Sequence, residues 1–239
     1  MTTVASPLLQ FAFIALPVLV ATGWLAGLWI AWRATGASDE HASGVVMRAA
    51  LLTLAWMIAT LALAASRLLL HFDWRPPPMA LLVLVSIVLA AWIGGSTIGA
   101  RLARGLSFSA LVGFQAFRWP LELLLHRGYT ENIVPVQMTY AGRNFDVVTG
   151  VTGALLALVL WRASTSRGLV LAWNIVGTAL LANILVIAVL SMPMIRFFGP
   201  DRMNVWVAVP PFVWLPTVLV VAAVAGHVII FRKLMMTAR

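Results

Sequence analysis

With 239 residues, 62% of them hydrophobic and 10% charged, the chain lies far outside the composition of a soluble domain. Its formal net charge of +9 comes without any basic soluble module, so it supports anchoring at anionic lipid head groups and no nucleic-acid partner. The absence of cysteine excludes disulfides, thiolate nucleophiles and cysteine-ligated metals.

Apolar runs long enough to cross a bilayer fall at 8–32, 45–70, 79–100, 106–127, 147–163, 169–192 and 210–231. The expectation is all-α: a polytopic transmembrane helix bundle of about seven spans, forming one domain over 1–239. The fourth run carries charges and the fifth is short, so a six-span reading stays open. The first run is too long for a signal-peptide core and lacks a positive flank, so it is expected to persist as a helix.

On alternate sides of such a bundle, one face collects nine basic residues (Arg33, Arg48, Arg101, Arg104, Arg162, Arg167, Arg232, Lys233, Arg239) against two acidic ones. The other collects seven against five. Positive residues concentrate on the cytoplasmic side, which puts the amino terminus outside and the carboxyl terminus inside.

After the second span, Arg67, His71, Asp73 and Arg75 sit beside Pro76-Pro77-Pro78 and read as head-group or solvent contacts. In the third, Gly95 and Gly99 have the spacing of close helix packing, as do Gly150 and Gly153 in the fifth.

The fourth span is the informative one. Arg118, Glu122 and His126 recur every four residues, so a helix stacks them within an arc of about 80° along about 12 Å of axis. Ionisable groups are costly in hydrocarbon, and they pair, face a bundle interior or mark a site. Arg118 lies about two turns deeper than His126, and Pro120 predicts a kink by removing a donor and crowding the carbonyl of Ala116. One reading has Arg118 and Glu122 neutralising each other on the same helix. The sharper one has Arg118 clamping an anion while Glu122 and His126 exchange protons.

The following loop, long for a helix connection, holds Tyr140, Arg143, Asn144 and Asp146 in the run Met138-Thr139-Tyr140-Ala141-Gly142-Arg143-Asn144-Phe145-Asp146. Asp146 or Asn144 is expected to cap the next helix. Capping does not require Arg143, for which a lipid phosphate, Glu122 or a bound anion would each be a partner. The candidate ligand-binding set is therefore Arg118, Glu122, His126, Tyr140, Arg143, Asn144 and Asp146, with Glu122 and His126 as candidate catalytic residues.

This segment resembles a family of uncharacterised bacterial multi-pass membrane proteins, through Phe117-Arg118, Pro120, Glu122, His126, Pro135, Met138-Thr139 and Gly142-Arg143-Asn144-Phe145-Asp146. Ser191-Met192-Pro193 and Pro211-Phe212-Val213-Trp214-Leu215-Pro216 extend the likeness over roughly the last half of the chain. The resemblance implies a multi-pass protein of the bacterial plasma (inner) membrane and specifies no activity.

In the sixth span Asn174 and Asn183 are expected to hydrogen-bond between helices. Arg196, Asp201 and Arg202 follow it at the outer face. Pro210, Pro211 and Pro216 with Trp206 and Trp214 set the start of the seventh span and its aromatic belt. The single lysine, Lys233, lies beyond the seventh run, which leaves no amine for a retinal Schiff base. The four histidines (His41, His71, His126, His227) show no zinc-type spacing, and no nucleophile-elbow motif occurs. His71 and His126 fall at the outer ends of their spans, with His41 in an inner loop and His227 near the inner end of its span, and the outer pair lacks any recognised haem spacing.

Three readings follow. The first is binding or transport of a small or lipid-like anionic ligand in an outward-facing polar cavity. The second is a membrane-embedded enzyme with Glu122 and His126 as acid and base. The third is a structural or assembly subunit whose polar stripe meets a membrane-protein partner.

Overall fold

The computed structural model describes residues 4–163 and 167–236. Among these the secondary structure is helical, with no strand. Arg239, counted above on the basic face, lies outside the described residues.

Serines start most of the early helices. Ser6 accepts from the Leu9 amide ahead of α1 (Pro7–Ala34), Ser38 from His41 ahead of α2 (Asp39–Ala65), and Ser107 from Ala110 ahead of α5 (Phe108–Phe114). Pro78 opens α3 (Pro78–Gly95), where its missing amide costs nothing. The run 79–100 does not continue as one helix. At Ser96 the backbone turns extended and the hydroxyl accepts from Ile98, starting the separate short helix α4 (Thr97–Gly105). In α4, Leu102 and Ala103 are buried while Arg104 is exposed, the pattern of a helix lying along an interface.

The charged fourth run is also composite. After α5 the ladder tightens to a 3-10 turn over Gln115–Phe117, and α6 (Arg118–Thr130) follows. Pro120 cannot donate to the carbonyl of Ala116, so the irregularity sits in the turn just before the proline. The chain continues through α7 (Val147–Arg162), α8 (Arg167–Leu190) and α9 (Val220–Met236). A π-helical stretch, Leu215–Leu219, introduces α9, with Pro216 again removing a donor. Among the described residues, five segments are long and apolar enough to cross a membrane: α1, α2, α3, α8 and the combined Leu215–Met236.

The last of these is the hub. Its apolar window is 56% buried, against 11% for α2, and it packs on α3, α4, α5 and α8. Two tryptophans bind α2 to it reciprocally. The Trp56 indole donates to the carbonyl of Thr217 (2.8 Å), and the Trp214 indole donates to that of Met57 (3.0 Å).

Buried apolar side chains form two clusters. One gathers Leu9, Phe13, Leu125, Val134 and Phe212 toward the end of the bundle that holds the 131–146 loop. The other gathers Leu28, Leu102, Val112, Ile229 and Ile230 toward the end that holds α4. Three buried polar side chains fall between members of the two clusters along the chain: Arg118 between Val112 and Leu121, Asn174 between Val170 and Ile187, and His227 between Leu219 and Ile229. Loop residues reach that polar layer ahead of α7. Asn144 and Asp146, just before its first turn, are buried, so the preceding loop runs into the bundle.

Candidate functional site

Arg118 is 1% exposed and binds two groups from two other segments. Its Nε donates to Asp146 Oδ2 (2.5 Å) and its Nη2 donates to Asp146 Oδ1, a two-pronged contact that matches guanidinium to carboxylate. Its Nη1 lies 2.7 Å from His227 Nε2 on α9. An arginine has only donors, so His227 Nε2 must accept and the ring's proton is on Nδ1. That proton is directed at Asn174 Oδ1 (2.7 Å), and Asn174 Nδ2 donates to the His227 carbonyl (3.2 Å). The tautomer is thus fixed from both sides, and His227 is neutral while Arg118 holds it.

Glu122, also 1% exposed, has a different partner. Asn144 Nδ2 donates to Glu122 Oε1 (2.6 Å) and to the carbonyl of Met138 (3.1 Å). Asn144 Oδ1 accepts from the Asp146 amide (3.1 Å), closing a small turn that sets the Asp146 carboxylate toward Arg118. Glu122 Oε2 is buried and has no hydrogen-bond partner. One turn deeper than Arg118, Gln115 donates to the carbonyl of Ala223 on α9 (3.0 Å).

The same-helix pairing expected of Arg118 and Glu122 is therefore replaced by a pairing across helices. An i, i+4 glutamate can offer a contact, but Asp146 offers both oxygens in the fork geometry, and Asn144 occupies Glu122. Asp146 stands at the N-cap position of α7, yet its side chain makes no capping bond because it is turned to Arg118.

The remaining candidates lie outside this layer. Along the loop, Asn144 and Asp146 point inward and are buried, whereas Arg143 and Phe145 are exposed. The Arg143 guanidinium stacks over the Phe198 ring at 5.4 Å, and its carbonyl accepts from Asn183 on α8 (2.9 Å). His126, half-buried, stacks on exposed Tyr140 with ring centroids 4.5 Å apart, and its Nδ1 is enclosed without a partner. His71 is elsewhere, exposed and stacked on Trp74. Among the described residues no three His, Asp or Glu side chains converge as metal ligands.

Close backbone approach makes the layer possible. A Cβ on Gly150 would lie 2.3 Å from the Trp119 amide nitrogen, so glycine lets the start of α7 meet α6 beside Arg118. Gly177 similarly lets α8 approach the His227 ring.

Sequence reasoning missed His227 and Asn174 as members of the site. The apolar run ending at 231 put His227 near the inner end of its span, but α9 continues to Met236, which leaves His227 about midway along Leu215–Met236. The available signal was a lone histidine and a lone asparagine in two otherwise apolar spans, each needing a partner. No family model, curated protein or solved structure matches the chain.

Proposed function

We propose that this is a multi-pass protein of the bacterial inner membrane that binds or moves a small or lipid-like anion from its outer side, with Glu122 exchanging a proton as the ligand comes and goes. The observation that carries this reading is a charge count. Arg118 is cancelled by Asp146, and His227 accepts as a neutral ring, so the enclosed layer is neutral only with a proton on Glu122. The bare Oε2 is where that proton would reside. Burying an uncompensated charge is costly, which couples any incoming or departing charge to proton movement at this carboxyl.

Loop alternation supplies the link to the outside. Arg143 is exposed, and the next residue, Asn144, holds Glu122, while Asp146 holds Arg118. An anion engaging Arg143 acts on backbone that directly positions both buried carboxylates. The same proposal includes seven crossings, with α5–α6 and α7 completing the five apolar spans, and an amino terminus outside. It also includes membership of the family that the 117–146 segment resembles, since those residues build the layer.

One observation favours a second reading, an enzyme with Glu122 and His126 as acid and base. Both residues present an enclosed polar atom without a partner, one helical turn apart. The readings separate in one experiment. Gently purified wild type and its Glu122→Gln and Arg143→Ala variants are extracted and their small-molecule content compared by mass spectrometry. The binding reading expects a molecule retained by wild type and lost from both variants. Retention by Glu122→Gln favours the enzyme, and identical empty extracts from all three count against both.

A further inference from the structure

Between α1, α2, α3 and α9 lies a second feature, an apolar groove of about 250 Å³ walled by Trp24, Trp56, Trp92 and Val221. Its lining surface is overwhelmingly apolar. The Trp56 indole donates to the Thr217 carbonyl, and the Thr217 hydroxyl donates to the carbonyl of Val213. Water needs two or more polar partners to occupy such a space, and this wall does not offer them, so an apolar molecule is the fitting occupant. Leu52 and Trp92, which line the groove, are 73% and 62% exposed at the perimeter of the bundle, where bilayer lipid has access.

Charge specifies the occupant further. Ala49 and Ile98 also line the groove. Arg48 adjoins Ala49, is exposed, and has no carboxylate partner among the described residues. Ile98 opens α4, which carries exposed Arg104 two turns on. An apolar slot beside unpaired cationic side chains matches a molecule with a hydrocarbon chain and an anionic head.

We propose that this groove is a binding site for an acyl chain of an anionic phospholipid whose phosphate is held at Arg48. The site is separate from the Glu122 layer and does not depend on the function proposed for that layer. It is tested by native mass spectrometry of the protein released from nanodiscs of equimolar phosphatidylglycerol and phosphatidylcholine. Wild type is expected to retain one phosphatidylglycerol in clear preference to phosphatidylcholine. Ala49→Phe, which fills the groove, should reduce retention of either lipid at least tenfold. Arg48→Gln changes an exposed position with no packing role and should keep a bound lipid while losing the preference. Glu122→Gln should behave as wild type. No retained lipid in wild type, equal retention of the two lipids, or an unchanged preference in Arg48→Gln would each overturn the assignment.

Discussion

Arg118 is among the largest fully buried side chains in the protein, and its stability rests on Asp146, which is 28 residues away in sequence. Removing one partner of such a pair strands the other charge in a dry site, whereas removing both leaves a packing change and a buried His227 Nε2 without its donor. Arg118→Leu and Asp146→Leu should each lower unfolding stability by about 3–5 kcal/mol, and the double variant should recover part of that loss, as measured by denaturant unfolding in micelles. Asn174→Ala deprives His227 Nδ1–H of its acceptor and should cost about 1–3 kcal/mol in the same assay, the penalty of an unsatisfied buried donor. Much of this chemistry was legible in the sequence. The Arg118, Glu122 and His126 stripe and the polar loop after it stand out against apolar surroundings. The partners were not legible, because i, i+4 spacing shows which side chains can touch on one helix and says nothing of a loop that dips in from outside. His227 and Asn174 were hidden by the same limit, since only tertiary packing brings α8 and α9 to α6.

Helix irregularities position these side chains. The 3-10 turn over Gln115–Phe117 follows from Pro120, which marked it in advance. The break at Ser96 was not marked, because the run 79–100 is continuous in hydrophobicity and a serine is ordinary inside a span. What ends α3 is that Ser96 caps the next helix instead of continuing the last, and the Arg232 guanidinium donates to the carbonyls of Gly95 and Ser96 at 2.5 Å. A close element contact is α6 against α7 at Gly150. Gly150→Ala should force the start of α7 away from Trp119 and cost about 1–3 kcal/mol, with the loss seen as lowered thermal stability and faster amide exchange in α7.

Across the whole molecule charged side chains tie helix ends together at both ends of the bundle. At one end Lys233 donates to the Ala103 carbonyl, Arg167 to that of Leu234, and Arg101 to the Thr35 hydroxyl. Several of the basic residues expected to meet lipid thus also tie helix ends to one another, where cations oppose the negative end of the helix dipole. At the other end Glu131 joins the start of α1 to the end of α6, accepting from the Ser6 amide (2.8 Å), the Ser6 hydroxyl (2.7 Å) and Arg127 (2.7 Å). The Ser6 amide, then the Ser6 hydroxyl, hold this carboxyl below its usual range. Its contribution is complete at neutral pH and is lost as acid protonates it below the ordinary carboxylate range, so amide exchange at the start of α1 should quicken on acidification in wild type and be fast throughout in Glu131→Gln. Sidedness is open to direct measurement in a chain without cysteine. A cysteine placed at Thr130 should react with an impermeant thiol reagent applied outside intact cells, and one placed at Ala37 should not. The central claim concerns Glu122, and mass spectrometry of co-purified small molecules from wild type and Glu122→Gln tests it most directly. A specific anionic molecule present in wild type and absent from a folded Glu122→Gln variant is the predicted result. The same molecules at the same occupancy in both would contradict it.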